Sequence, residues 1–279
     1  MLLVVFFLTA AVLVVVQARM RRHVREDLVS TLRAESVVYT DLVRVRREQT
    51  QQSTAIIASQ PSLKALMSTD DPLTVQDGSK SILESSGADL LILESASGEI
   101  LGFHSSADSD AMSALAGMMQ VSVGTQDWWF AGGHLYDVSL APIMAGSGAN
   151  HRLLGRMALG HDVSPQLMLG TVAFAQSAFV FARHETMLLS SLKADAAKEF
   201  ELLQMDRSVS PGSIRDYELG GERYLVTFVD LSGDHPVRLY CLESFDQATS
   251  FLRSLNRMLM MLGVMALIGG ALLAFVISR

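Results

Sequence analysis

Eight residues fall on or beside what reads as one sheet: Phe103, His104, Trp128, Trp129, His134, Tyr136, Asp137 and Asp162. Aromatic walls carrying a few polar groups are the chemistry of a small-molecule binding pocket. Successive residues of a strand face opposite ways, so at most one of Trp128 and Trp129 lines a given pocket. The other belongs in the core or under the long N-terminal helix. Catalytic chemistry finds no such grouping. His184-Glu185 lacks the second histidine of a zinc helix, because Leu188 stands there. The seven histidines show no paired metal spacing. No Gly-x-Ser-x-Gly, phosphate loop or Gly-x-Gly-x-x-Gly occurs. Asp230, Asp234 and His235 cluster in a predicted turn and read as solvated. The residues call for no cofactor and no metal.

The elements that hold these side chains lie between two apolar stretches, Met1 to Val16 and Met258 to Ile277. About 20 apolar residues in a helix span the hydrocarbon core, and the second stretch fits that length without a charge. Residues 1–17 and 258–277 are therefore expected to be transmembrane helices, with the region between them outside the cytoplasm of a bacterial cell. The first stretch reads as a signal anchor; Val16-Gln17-Ala18 would suit a cleaved signal instead. A net charge of -7 argues against nucleic acid as a partner, since phosphate binding needs a basic face. Cys241 is the single cysteine, so no intramolecular disulfide can form.

Residues 18–60 read as a long stalk helix. Val24, Leu28, Leu32, Val38, Leu42 and Val45 recur at helical spacings, and no Pro or Gly interrupts before Pro61. The stripe suits either a second protomer or the chain's own globular part. Residues 61–163 read as a distal α/β unit: two short helices, a hairpin from Asp89 to Phe103 about Ser97-Gly98, a helix from Ala107 to Met119, then strands at Trp128 to Ala131, His134 to Met144 and Arg152 to His161. Residues 164–245 form a smaller proximal unit. It has a helix from Ser164 to Phe174, a hairpin about Arg183-His184-Glu185, an amphipathic helix from Leu192 to Gln204, and strands at Tyr217 to Leu219, Glu222 to Asp230 and Val237 to Leu242. Phe245 to Arg257 leads as a linker helix into the second span. There, Gly263, Ala266, Gly270 and Ala274 suit close helix packing. The fold class is α+β, with two antiparallel-sheet units in tandem behind the stalk.

This arrangement resembles the double Cache (PAS-like) sensory domains of bacterial transmembrane receptors: sensor histidine kinases, chemoreceptors and cyclases. The resemblance runs from stalk to second span. It is carried by Gly87-Ala-Asp-Leu-Leu-Ile-Leu-Glu-Ser-Ala-Ser-Gly-Glu-Ile-Leu101, by Leu154-Gly-Arg-Met-Ala-Leu-Gly-His-Asp-Val163, and by the terminal Leu-Leu-Ala-Phe-Val-Ile-Ser-Arg, which is similar to the exit of a span that enters a HAMP linker. It implies a ligand-sensing input module, a homodimer, and a small-molecule ligand or periplasmic binding protein as partner. The output module would follow Arg279. Amino-acid-binding members carry Arg-x-Trp-Tyr where Gln126-Asp127-Trp128-Trp129 stands here, and an Asp that Asp162 matches. Without that Arg the two-donor grip on a ligand carboxylate is missing. An anchored binding or adhesion protein is the competing reading, and a surface hydrolase a weaker one.

Overall fold

The computed structural model describes residues 2–105, 111–146, 151–163, 177–184, 186–203, 210–233 and 235–250, with 261, 265 and 269; for 2–18 and 21 it describes the helix without side chains. Helix α1 runs Leu2–Ser59. Gln60 is held extended, φ −62° and ψ 133°, by the following Pro61, which opens α2, Pro61–Met67. Helix α3, Pro72–Ser86, is capped by Asp71, whose side chain accepts from the Thr74 N–H, and it closes on Gly87 in the left-handed conformation.

The distal unit contains β1 (Leu90–Ser95), β2 (Ile100–Ser105), α4 (Met112–Val121), β3 (Gln126–Ala131), β4 (His134–Ala145) and β5 (Arg152–Asp162). The proximal unit contains β6 (Ala178–Arg183), β7 (Thr186–Ser190), α5 (Ala194–Leu202), β8 (Arg215–Leu219), β9 (Glu222–Leu231) and β10 (Val237–Ser244), followed by α6 (Phe245–Ala248). Each sheet is antiparallel and five-stranded, in the orders β2-β1-β5-β4-β3 and β7-β6-β10-β9-β8. Counted within each unit, the two orders are identical, so the repeat is one of topology. At Gly155 the β5 backbone crowds β1: a Cβ there would lie 1.9 Å from the Glu94 carbonyl oxygen.

Each strand reads alternately onto two faces. On the distal sheet one face packs Leu90, Ile92, Trp129, Tyr136, Val138 and Ala158 against Leu115 and Met119 of α4. The other packs Leu91, Leu93, Ile143, Met157 and Leu159 against α2, α3 and the end of α1. A third cluster joins the units: Leu28, Leu32 and Tyr39 of α1 pack with Trp128 and Leu135 of the distal sheet and with Phe179, Leu225, Leu239 and Cys241 of the proximal one. Burying one such aliphatic or aromatic side chain is worth about 1.5–3 kcal/mol.

The expected stalk stripe divides. Leu28 and Leu32 face inward, but the inward row continues through Ser36, Tyr39, Arg47, Thr50, Thr54 and Ala58. Val38, Leu42 and Val45 stay 53, 40 and 42% exposed. The reason is periodicity: residues 28, 32, 36, 39, 43, 47, 50, 54 and 58 lie three or four apart, and the sheets accept polar side chains on that row. Boundaries shift elsewhere by a few residues. The Leu192 helix begins at Ala194, and the Val237 strand extends to Ser244. Among the described residues no helix is long and apolar enough to cross a membrane. The side chains of the first apolar stretch lie outside the described residues. So do the expected helix from Ser164 to Phe174, the linker beyond Ser250 and nearly all of the second span.

Candidate functional site

The register of the distal sheet sorts the eight candidate residues. Tyr136 lies opposite both Trp129 and Asp162, and Phe103 opposite Ile92. His134 pairs with Ala131. Phe103, Trp129, His134, Tyr136 and Asp162 therefore share the face that α4 covers. His104, Trp128 and Asp137 point the other way, toward α3 and α1. His104 Nε2 sits 2.9 Å from Ser79 Oγ and 3.0 Å from the Gln76 carbonyl oxygen, both on α3. Asp137 accepts from Arg47 Nε at 2.8 Å, and the Arg47 guanidinium lies 5.0 Å over the Trp128 ring. The sheet thus puts five of the eight on one face, with Phe103 and Trp129 on its opposite edge strands.

On the α4 face the polar groups gather at one edge. His134 Nδ1 lies 2.7 Å from Asp162 Oδ2, and the His134 and Tyr136 rings stack with centroids 6.1 Å apart. The Tyr136 hydroxyl is 3.1 Å from Ser105 Oγ. The Asp162 N–H donates to Asp89 Oδ2 at 2.9 Å, which fixes the end of β5. Asp162 Oδ1 is buried and has no hydrogen-bond partner among the described residues. A buried carboxylate oxygen without a donor costs on the order of 1–3 kcal/mol or more. Ser105 and Asp89 escaped the sequence reading; alternation along β2 is the signal that places Ser105 beside Phe103.

Asp127 also faces α4, because it lies two residues before the inward Trp129. Gln126, at the place where the family's Arg was expected, instead points to α1 and donates from Nε2 to the Arg47 carbonyl at 3.0 Å. The Asp127 carboxylate accepts from the Trp128 and His235 N–H groups, from Ser122 Oγ and from Trp129 Nε1, at 2.7–2.9 Å. His235 Nδ1 adds a contact of 2.7 Å. Burial pushes this carboxyl up, but the His235, Ser122 and backbone hydrogen bonds outweigh it and hold it below the usual carboxylate value. His235 is therefore not a residue of a merely solvated turn: it joins the β9–β10 turn to the distal sheet.

Around Trp128 the two units are knotted to the stalk. Arg47 Nη1 and Trp128 Nε1 both donate to the Ser232 carbonyl, the latter at 3.1 Å, and Arg183 Nη2 donates to the Trp128 carbonyl at 2.5 Å. Burial lifts the Asp137 carboxyl to about 6, with Arg47 opposing the rise. At the far end of the distal sheet an open crevice of about 450 Å³ is lined by Ser95, Ser97, Gln120 and Arg156. Arg156 is already committed to Glu94 and to the Ser122 and Met119 carbonyls.

No family model matches the chain, and no curated protein matches it. Solved structures do. The chain is similar to the ligand-binding domain of the Pseudomonas fluorescens chemoreceptor CtaA in complex with L-isoleucine, at 19% identity and a TM-score of 0.50 over 83% of this chain and 98% of that one. It is similar to the extracellular domain of vpHK1S-Z8, at 13% identity and a TM-score of 0.54 over 81% and 98%. It is also similar to the sensor domain of the V. cholerae histidine kinase DctB, at 12% identity and a TM-score of 0.50 over 78% and 98%. The chain therefore has the double Cache-type fold of extracytoplasmic sensor domains.

Proposed function

We propose that the chain is the ligand-sensing input module of a membrane receptor, with the ligand bound on the α4 face of the distal sheet. The observation that carries this reading is Asp162: a buried carboxylate with one oxygen unpartnered among the described residues, beside His134, Tyr136 and Ser105. Among the described residues no arginine faces this edge. The ligand is therefore a small molecule that presents an ammonium or another N–H donor to Asp162 and an apolar body to the aromatic rings. A carboxylate-first grip of the amino-acid type has no counterpart here. The solved relatives include domains crystallised with amino acids, which supports a small-molecule ligand. The module senses rather than catalyses.

In this reading residues 61–163 are the distal and 164–245 the proximal module. Residues 246–257 link to a span at 258–277, and residues 1–17 anchor the stalk. Two copies pair through the outer face of α1. Binding biases two states of the domain, and the difference passes through β10 and α6 to an output module.

A thermal-shift screen of small nitrogenous metabolites tests the site. Ligand at a hundredfold excess over Kd stabilises by about 2.7 kcal/mol. Hits on the wild type should vanish in Asp162→Asn, whose unliganded Tm should hold or rise. Hits that survive the substitution place the site elsewhere. Reporter fusions at Gly148 and after Arg279 test the topology: phosphatase activity is expected at Gly148 and not after Arg279.

A further inference from the structure

Three elements meet beside the lone cysteine: the stalk helix α1, the residue entering β6, and the end of β10, where the chain turns into α6. They meet through Glu35, Ser177 and Glu243. Ser177 Oγ lies 2.8 Å from Glu35 Oε2 and 2.6 Å from Glu243 Oε2. A hydroxyl has one hydrogen to give. It can satisfy one of these carboxylates; the other contact at hydrogen-bond distance needs a hydrogen from the carboxyl itself. Two ionised carboxylates here would leave one close oxygen pair with no proton between them, and Glu243 is buried. No cation pairs with either group among the described residues. Among the described residues no group of three or more His, Cys, Asp or Glu side chains is placed to hold a metal ion.

We propose that Glu35, Ser177 and Glu243 form a proton-binding site that ties the stalk to the exit strand, closed by one shared proton and loosened when that proton leaves. The site itself is independent of the sensory reading; only its use as a signal input rests on it.

The surroundings favour retention of the proton. On α1 the neighbouring titratable group is Tyr39, whose hydroxyl burial pushes up, with Arg46 opposing. On β10 it is Cys241, pushed up to about 12 by burial and by Glu35. β9 presents Leu225 opposite Glu243 and Thr227 opposite Cys241, and β6 presents Phe179. On α6, Asp246 accepts from the Arg223 N–H at 2.8 Å. Burial raises the Glu35 carboxyl, Ser177 lowers it and Glu243 raises it further, with a net rise. A raised folded-state pKa gives stability that is complete below the ordinary glutamate value and lost as pH rises through the folded one.

The full chain purified in detergent is the sample, and no ligand is needed. The Tm of the wild type should fall as pH rises from about 4.5 to about 8, and Glu35→Gln should flatten that fall, because its amide donates to Ser177 without ionising. Parallel profiles overturn the proposal. Infrared spectra with side-chain carboxyl-labelled glutamate need no variant to fold. A labelled carboxylic-acid band should persist above the ordinary glutamate pKa. It should disappear in either Glu35→Gln or Glu243→Gln. Absence of that band in the wild type also overturns the proposal. Neither failure touches ligand binding at Asp162.

Discussion

Arg47 and Asp137 show what a single pair can do in this fold. Both are buried, and the Arg47 guanidinium also lies on Trp128 and reaches the Ser232 carbonyl. Removing one charge strands the other, so Arg47→Met should cost about 3–5 kcal/mol in urea denaturation, while Arg47→Met with Asp137→Leu should recover most of that loss. Burial raises the Asp137 carboxyl to about 6. The folded state thus holds this proton more tightly than the unfolded one, and stability falls as pH rises from about 4 through about 6. Asp137→Asn should flatten that part of the profile. A full cost of Arg47→Met at low pH would contradict the assignment, since a protonated Asp137 no longer needs its partner. The sequence made the aromatic content of the distal sheet legible and put Asp162 with it. It could not show which side chains would be spent on structure. His104, Trp128 and Asp137 are of the right types for a site, yet α3 and α1 claim them. Asp127 and His235 were unreadable as a pair because they are 108 positions apart.

At the scale of elements, α1 carries two rows. The inner row holds the sheets together and includes Ser36, Thr50 and Thr54, which a hydrophobic pattern passes over. The outer row keeps Val38, Leu42 and Val45 in solvent, with Val37 and Ile56 beside it. Apolar periodicity merged the rows because Leu28 and Leu32 of one are followed by Val38 and Leu42 of the other. If the outer row pairs two copies, single cysteines at 38, 42 and 45 should crosslink and those at 36 and 39 should not. Leu42→Lys should weaken the dimer while changing monomer stability by no more than about 0.5 kcal/mol. Equal crosslinking at all five positions would contradict pairing by this face. Strand positions were legible to within a few residues, since alternation and glycine turns mark them. Gly155 illustrates a finer constraint: Gly155→Ala should cost about 1–3 kcal/mol or more, because β1 leaves no room for the added carbon.

The whole molecule is two sheets of one topology strung on one helix and joined by a shared core. Trp128 belongs to that core, and its backbone and ring bind Arg183 and Ser232 of the proximal unit. Trp128→Ala should cost about 3–5 kcal/mol and split thermal unfolding into two transitions in calorimetry, where the wild type should show one. Tandem organisation was readable from the repeated order of elements; the junction was not, because its contacts are long-range and polar. The central claim remains that the distal α4 face takes a small ligand at Asp162. Calorimetric titration of the strongest thermal-shift hit into wild type and Asp162→Asn tests it most directly. The account predicts saturable one-site binding to the wild type and at least about a tenfold loss of affinity in the variant, about 1.4 kcal/mol. Equal affinity for the two proteins would contradict it.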